Sequence, residues 1–311
     1  MAVLNPPSAL PGLARSITNH LIKSRASYDV ERITALFAPS GISNSPDRTR
    51  GVDNTLRAAR AIGLIMQDSS GTLTVPEDVA ARSSGGGLTR EEFRQVLRRA
   101  ALNLRRDGNP WAGDIEARTA GARDLSRALS WFLAQDALGP ALSWRGKGRH
   151  SVELLQSEQL RHLADEERPF SNDTRWGAFG RWALALGLAE PAIAEAGGGL
   201  VPLPLRAVRD VVLRMQPGKR PIGAFLTELA TELPVLEGGV ARAGLRALLG
   251  EDPDPGIRNE SVDTSVSQSM LVLEEEQVLE LTYGSDADAR VLGDPEGRKV
   301  SNVEVLIGVR R

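Results

Sequence analysis

The sequence predicts a mainly α-helical fold with small β-hairpins, organised as multiple winged-helix modules (helix-turn-helix plus wing) joined by a helical region. Three observations predict it. Apolar residues recur at helical spacing through most of the chain. Short β-prone runs separated by turn residues follow certain helices. One pattern of helix exit plus hairpin returns: Ala61-Ile62-Gly63-Leu64 precedes Gly71-Thr72-Leu73-Thr74-Val75-Pro76, and Ala185-Leu186-Gly187-Leu188 precedes Gly199-Leu200-Val201-Pro202-Leu203.

The first module spans residues 1–80. Leu10, Leu13, Ala14, Ile17 and Leu21 form one helix face. Asp29 caps a second helix whose stripe is Val30, Ile33, Leu36 and Phe37. A third helix is expected over residues 48–62, with Val52, Leu56 and Ala59 inward and Gly63 as its C-cap. Leu64–Met66 and Thr72–Val75 then pair across the turn Asp68-Ser69-Ser70-Gly71.

Residues 80–87 are Gly-rich and read as a linker. A helical middle region follows over 88–149, with Phe93, Val96 and Leu97 inward in one helix and Leu125, Leu129 and Phe132 in another, expected over 121–135. A second winged-helix-like module is expected over 150–216, its first helix at 152–163 and its third at 175–186, with no obvious second helix. A possible third occupies 217–311, with helices at 222–232, 240–249 and 266–281 and a final hairpin reaching residues 299–309.

The 311 residues are 41% hydrophobic and 25% charged, ordinary values for a folded chain of about two domains. No apolar run reaches the roughly 18 residues of a membrane-spanning helix, and the first residues lack the pattern of a signal peptide, so the expected location is cytoplasmic. The absence of cysteine excludes disulfides and thiolate metal sites. The net charge of −2 hides an asymmetry: residues 1–150 hold 21 Lys/Arg against 14 Asp/Glu, and residues 151–311 hold 17 against 26. A polyanion therefore suits the first half better than the second.

In a winged helix the third helix enters the major groove. Here it carries Arg48, Thr49, Arg50, Asn54, Arg57 and Arg60. Arg50, Asn54 and Arg57 share a face at spacings of four and three, and Arg and Asn are the side chains that read guanine and adenine edges. Arg48 and Thr49 suit phosphate contact. The second module adds Arg175 and Arg181. The alternative is a solvated helix face in a chain where Arg far outnumbers Lys. The wing argues for that alternative, since Gln67, Asp68, Ser69 and Ser70 bear no positive charge. The run Arg94, Arg98, Arg99, Arg105, Arg106 reads as a solvated face, and Trp176, Phe179 and Trp182 as core. Glu274, Glu275 and Glu276 would repel phosphates, so a third module should meet protein or pack internally.

Catalytic signatures are missing. His20, His150 and His162 lack metal-pair spacing, and neither a phosphate-binding loop nor a nucleophile elbow occurs. The expectation is a protein that is no enzyme and carries no cofactor and no metal.

The stretch Val3-Leu4-Asn5-Pro6-Pro7-Ser8-Ala9-Leu10-Pro11, the helix exit Ala61-Ile62-Gly63-Leu64 and the helix Arg123-Asp124-Leu125-Ser126-Arg127-Ala128-Leu129 resemble the DpdG family over most of the chain. That resemblance implies an accessory role in the bacterial Dpd system, which places 7-deazaguanine derivatives in DNA and restricts unmodified foreign DNA. It transfers no functional residue. The expected partners are double-stranded DNA for the first half and other defence-system proteins for the acidic second half. A winged-helix transcriptional regulator and a purely protein-binding scaffold are the alternatives.

Overall fold

The computed structural model describes residues 3–5, 7–24, 26–39, 46–83, 85–104, 108–119, 121–145, 151–192, 199–252, 261–284 and 288–306, without the side chains of 46–48, 115, 119 and 166. Two units divide the chain. Unit 1 takes Met1–Asp107, Gly113–Leu125 and Thr174–Leu186, and unit 2 takes Gly108–Ala112, Ser126–Asp173 and Gly187–Arg311. Both are mainly helical with small antiparallel hairpins.

Unit 1 opens on α1 (Pro11–Lys23), whose Pro11 fills a first-turn position where no N–H partner is needed. The Asp29 carboxylate accepts the Arg32 N–H at 2.8 Å and starts α2 (Val30–Phe37), as the sequence predicts. Both helices pack on α3 (Pro46–Ala61). Val52, Leu56 and Ala59 of α3 are buried, together with Ala14, Ile17 and Ile33. Gly63 sits at φ 78°, and the Leu64 N–H returns to the Ala59 carbonyl at 2.8 Å, which closes the helix as a Schellman turn does. The chain then forms β1 (Met66–Gln67) and β2 (Leu73–Thr74), paired Met66 to Thr74 and Gln67 to Leu73. Leu73 also pairs antiparallel with Tyr28, which lies between α1 and α2.

After the short α4 (Glu77–Ala80), a Thr89–Glu92 capping box starts α5 (Arg90–Ala101). Leu88, beside the Gly-rich stretch read as a linker, is held to α1 on both sides: Asn19 accepts its N–H at 2.7 Å and donates to its carbonyl at 2.9 Å. Residues on both sides of that stretch belong to unit 1. Next come α6 (Ile115–Thr119) and α7 (Arg123–Phe132), the latter shorter at both ends than the expected 121–135.

In unit 2 the Ser151 hydroxyl caps α8 (Val152–Gln159). Then comes α9 (Asp173–Leu186), which counts with unit 1 from Thr174 onward. The hairpin β3 (Glu190–Pro191) and β4 (Leu200–Val201) belongs to unit 2, and Leu200 pairs antiparallel with Leu142. The remaining elements are α10 (Leu205–Val212), β5 (Gly218–Pro221), α11 (Ile222–Glu232), α12 (Val240–Leu248), α13 (Thr264–Glu275), β6 (Leu279–Thr282), β7 (Arg290–Val291), β8 (Lys299–Val300) and β9 (Asn302–Val305). The sheet order is β5-β9-β6, all antiparallel, and α13 packs on α10 and β6. The expected helix over 266–281 therefore ends early. Gln277 turns to φ 58°, and Leu279 and Leu281 alternate inward as a strand. Ile307 and Val309 lie outside the described residues.

One order recurs three times: helix, extended residue, two helices, strand, strand. The first series is α1, Tyr28, α2, α3, β1, β2; the second is α7, Leu142, α8, α9, β3, β4. The third is α10, β5, α11, α13, β6, β9, with α12 and the β7–β8 hairpin as additions. Each time the last strand pairs with both others. Residues 152–163 were expected as the opening helix of the second series, yet α8 is its second helix and α7 its first. The third series likewise opens on α10 rather than on 222–232.

Candidate nucleic-acid interface

Helix α3 has one face fixed by the core and one left to solvent. Thr49, Arg50, Arg57 and Arg60 are exposed, and Asp53 is half-buried among them. At 3.6 residues per turn, positions 50, 53, 57 and 60 form one stripe, which therefore carries three arginines and one aspartate. Asp53 accepts a hydrogen bond from the Thr34 hydroxyl at 3.2 Å. The Arg48 side chain lies outside the described residues.

Asn54 does not join that stripe. It is 6% exposed and donates its amide to the Ser8 hydroxyl at 2.6 Å. The expected grouping of Arg50, Asn54 and Arg57 is thus replaced by Arg50, Asp53, Arg57 and Arg60. Arg57 and Arg60 also line an open groove of about 740 Å³, bounded by Met66 and Gln67 of β1 and by Gly121. At the hairpin tip Asp68 accepts the Ser70 hydroxyl at 2.6 Å and the N–H groups of Ser70 and Thr72, each at 2.9 Å. The Ser70 hydroxyl foremost, then these amides, holds this exposed carboxyl below its usual range. The tip is therefore anionic at neutral pH.

The two arginines expected from α9 contact the chain's own residues, Arg175 half-buried and Arg181 exposed. An Arg175 Nη atom lies 3.9 Å from a carboxylate oxygen of Asp124, and Arg181 donates to the Pro7 carbonyl at 2.6 Å. Asp124 is 1% exposed and accepts the Val3 N–H at 3.0 Å and the Leu4 N–H at 2.7 Å. Burial pushes its carboxyl up, while Arg175 and the amides of Leu4, Val3 and Leu125 pull it back. The sequence reading missed this carboxylate. Its one signal was an acid in the first turn of a helix.

Trp176, Phe179 and Trp182 are core, as expected, with the Trp176 and Phe179 rings stacked 5.3 Å apart. The α5 run is not wholly solvated: Arg98 is 3% exposed and donates to the Leu186 carbonyl at 2.8 Å, and Arg94 pairs with Glu91. Arg105 and Arg106 lie outside the described residues. His20 is half-buried and packs edge-on against Tyr28 at 4.7 Å and Phe37 at 5.9 Å. His162 is exposed, and His150 lies outside the described residues.

The acidic end of α13 is internally paired. Glu274 binds Arg298 through both guanidinium nitrogens and accepts the Leu281 N–H at 3.1 Å, and Glu276 pairs with Arg209. The Glu274 hydrogen bond raises the pKa of Arg298. The buried length of α13 includes Ser265, Val266, Ser267, Ser269, Met270 and Leu273. Among the described residues no group of three His, Asp or Glu is placed to hold a metal ion, and no helix is long and apolar enough to cross a membrane.

These features define a class: a mainly helical chain of recurring helix–hairpin series in which the first presents a cationic helix face. The DpdG-like family matches residues 1–287, and the chain belongs to that family. No curated protein and no solved structure matches it.

Proposed function

We propose that the chain is a non-catalytic component of the bacterial Dpd system that binds duplex DNA through α3, used as the recognition helix of a winged-helix module. The observation that carries this reading is the contrast among the three third helices. Only α3 has a solvent face with several cations on it; the described arginines of α9 contact the chain's own residues, and α13 is mostly buried. The element order and the strand order of each series support winged-helix modules. Family membership supports the Dpd setting. Charge agrees: unit 1 carries 19 Lys/Arg against 13 Asp/Glu, a net +6, whereas unit 2 carries 19 against 27, a net −8. Unit 2 is the part suited to a protein partner.

Thr49 and Arg50, nearest the start of the helix, are assigned to groove and phosphate contacts, and Arg57 and Arg60 to the backbone. An electrophoretic mobility series on duplexes across salt concentration tests this. A phosphate-contacting arginine accounts for a salt slope of about 1, so Arg57→Ala and Arg60→Ala should each flatten the slope by about that much. Arg50→Ala should weaken binding by about 1–3 kcal/mol if it meets a base edge. Wild-type affinity and slope in the triple variant would remove the assignment. Comparing modified with unmodified duplexes shows whether the modification is read.

A second reading is a protein-binding scaffold without DNA contact. The anionic Asp68 at the hairpin tip and the −8 of unit 2 favour it. Co-purification with other defence proteins, together with no duplex affinity at low salt, would select it.

A further inference from the structure

We propose that residues 3–5 and 7–10 form an internal strap that positions α3, with Asp124 as the positioning residue that anchors it. The inference builds on the α3 reading above but is decided separately from it. Every anchor lies within unit 1. At one end, the two Asp124 oxygens each accept one consecutive amide, from Val3 at 3.0 Å and Leu4 at 2.7 Å. Both of those side chains are buried, so the segment is packed into the core as well as hydrogen-bonded. Midway, Arg181 on α9 holds the Pro7 carbonyl. At the other end α3 itself grips the segment: Asn54 donates to the Ser8 hydroxyl, and the Thr55 hydroxyl accepts the Leu10 N–H at 3.0 Å. These residues thus tie the middle of α3 to the first turn of α7 and to α9. Asn54 and Thr55 occupy the turn between Arg50 and Arg57, so a shift there moves both ends of the cationic stripe.

A carboxylate suits two neighbouring N–H donors because it is acceptor-only on both oxygens. An amide in its place sets an NH₂ donor against one of those donors. Asp124→Asn therefore keeps volume and removes one anchor. Amide hydrogen exchange on the full chain reads the result. We expect exchange at Val3, Leu4, Leu10 and across α3 to quicken by about tenfold or more, with unit 2 unchanged. Thr55→Val, which is isosteric, removes one of the two contacts at the other end; Leu10 and α3 should quicken while Val3 and Leu4 stay protected. Unchanged α3 exchange in a folded Asp124→Asn protein, or in Thr55→Val, overturns the proposal. Should Asp124→Asn fail to fold, the Thr55→Val result decides. Duplex affinity adds a separate readout. Asp124→Asn should weaken binding without changing the salt slope, because no cation is lost, whereas Arg57→Ala changes the slope. If wild-type protein binds no duplex, the DNA reading fails and exchange still decides the strap.

Discussion

After the third helix of each series the backbone enters the left-handed region: Gly63 at φ 78°, Gly187 at φ 72° and Gln277 at φ 58°. A side chain there costs roughly 1–2 kcal/mol relative to glycine, partly offset by the greater unfolded-state freedom that glycine brings. Gln277→Gly should therefore stabilise the protein by about 0.5–1 kcal/mol. Gly63→Ala should destabilise it by about 1 kcal/mol. Shifts in urea midpoint at constant slope check both; a lower midpoint for Gln277→Gly would contradict the argument. The same residues explain what could be read in advance. Gly63 announces a helix end because glycine is the usual residue at that conformation. Gln277 announces nothing, and Val278, Leu279 and Leu281 prolong an apolar spacing, so the helix is extended in the reading to 281 and the strand is lost.

Among elements, the helices of the first series are legible because they are long enough to show a period, and its two-residue strands because the turn Asp68–Gly71 separates them. Tyr28 and Leu142, each a single paired residue, show none. Without them the helices of the second series cannot be numbered, and α8 takes the place of α7. On the candidate face Asn54 was misplaced for a related reason, whereas Thr49, Arg50, Arg57 and Arg60 are exposed as expected. Helical spacing places Asn54 near Arg50 and Arg57, but only the fold brings Ser8 against it. The fate of Arg175 and Arg181 is likewise a long-range matter, settled by residues more than fifty positions away. Their replacement is expected to act on folding alone. Arg175→Ala and Arg181→Ala should lower the melting temperature and leave the salt slope of duplex binding at its wild-type value, in contrast to Arg57→Ala. A flatter slope for Arg181→Ala would return α9 to the interface.

At the scale of the molecule, the charge asymmetry read along the sequence survives in three dimensions but follows units rather than halves. The thirteen residues of Thr174–Leu186 belong to unit 1 and add Arg175 and Arg181 to its positive balance, across a distance in sequence that composition cannot bridge. The result is +6 on one unit and −8 on the other, within a chain whose net charge is only −2. Such a molecule behaves in solution as a patchy colloid rather than as a nearly neutral sphere. Near pH 6.0, where the composition balances its charges and mean repulsion vanishes, the positive unit of one copy should attract the negative unit of another. Static light scattering at low ionic strength should show net attraction there, and it should fade as added salt shortens the screening length to about 8 Å. Repulsion at every salt concentration would show that the opposed charges are too dispersed over the surface to act as patches.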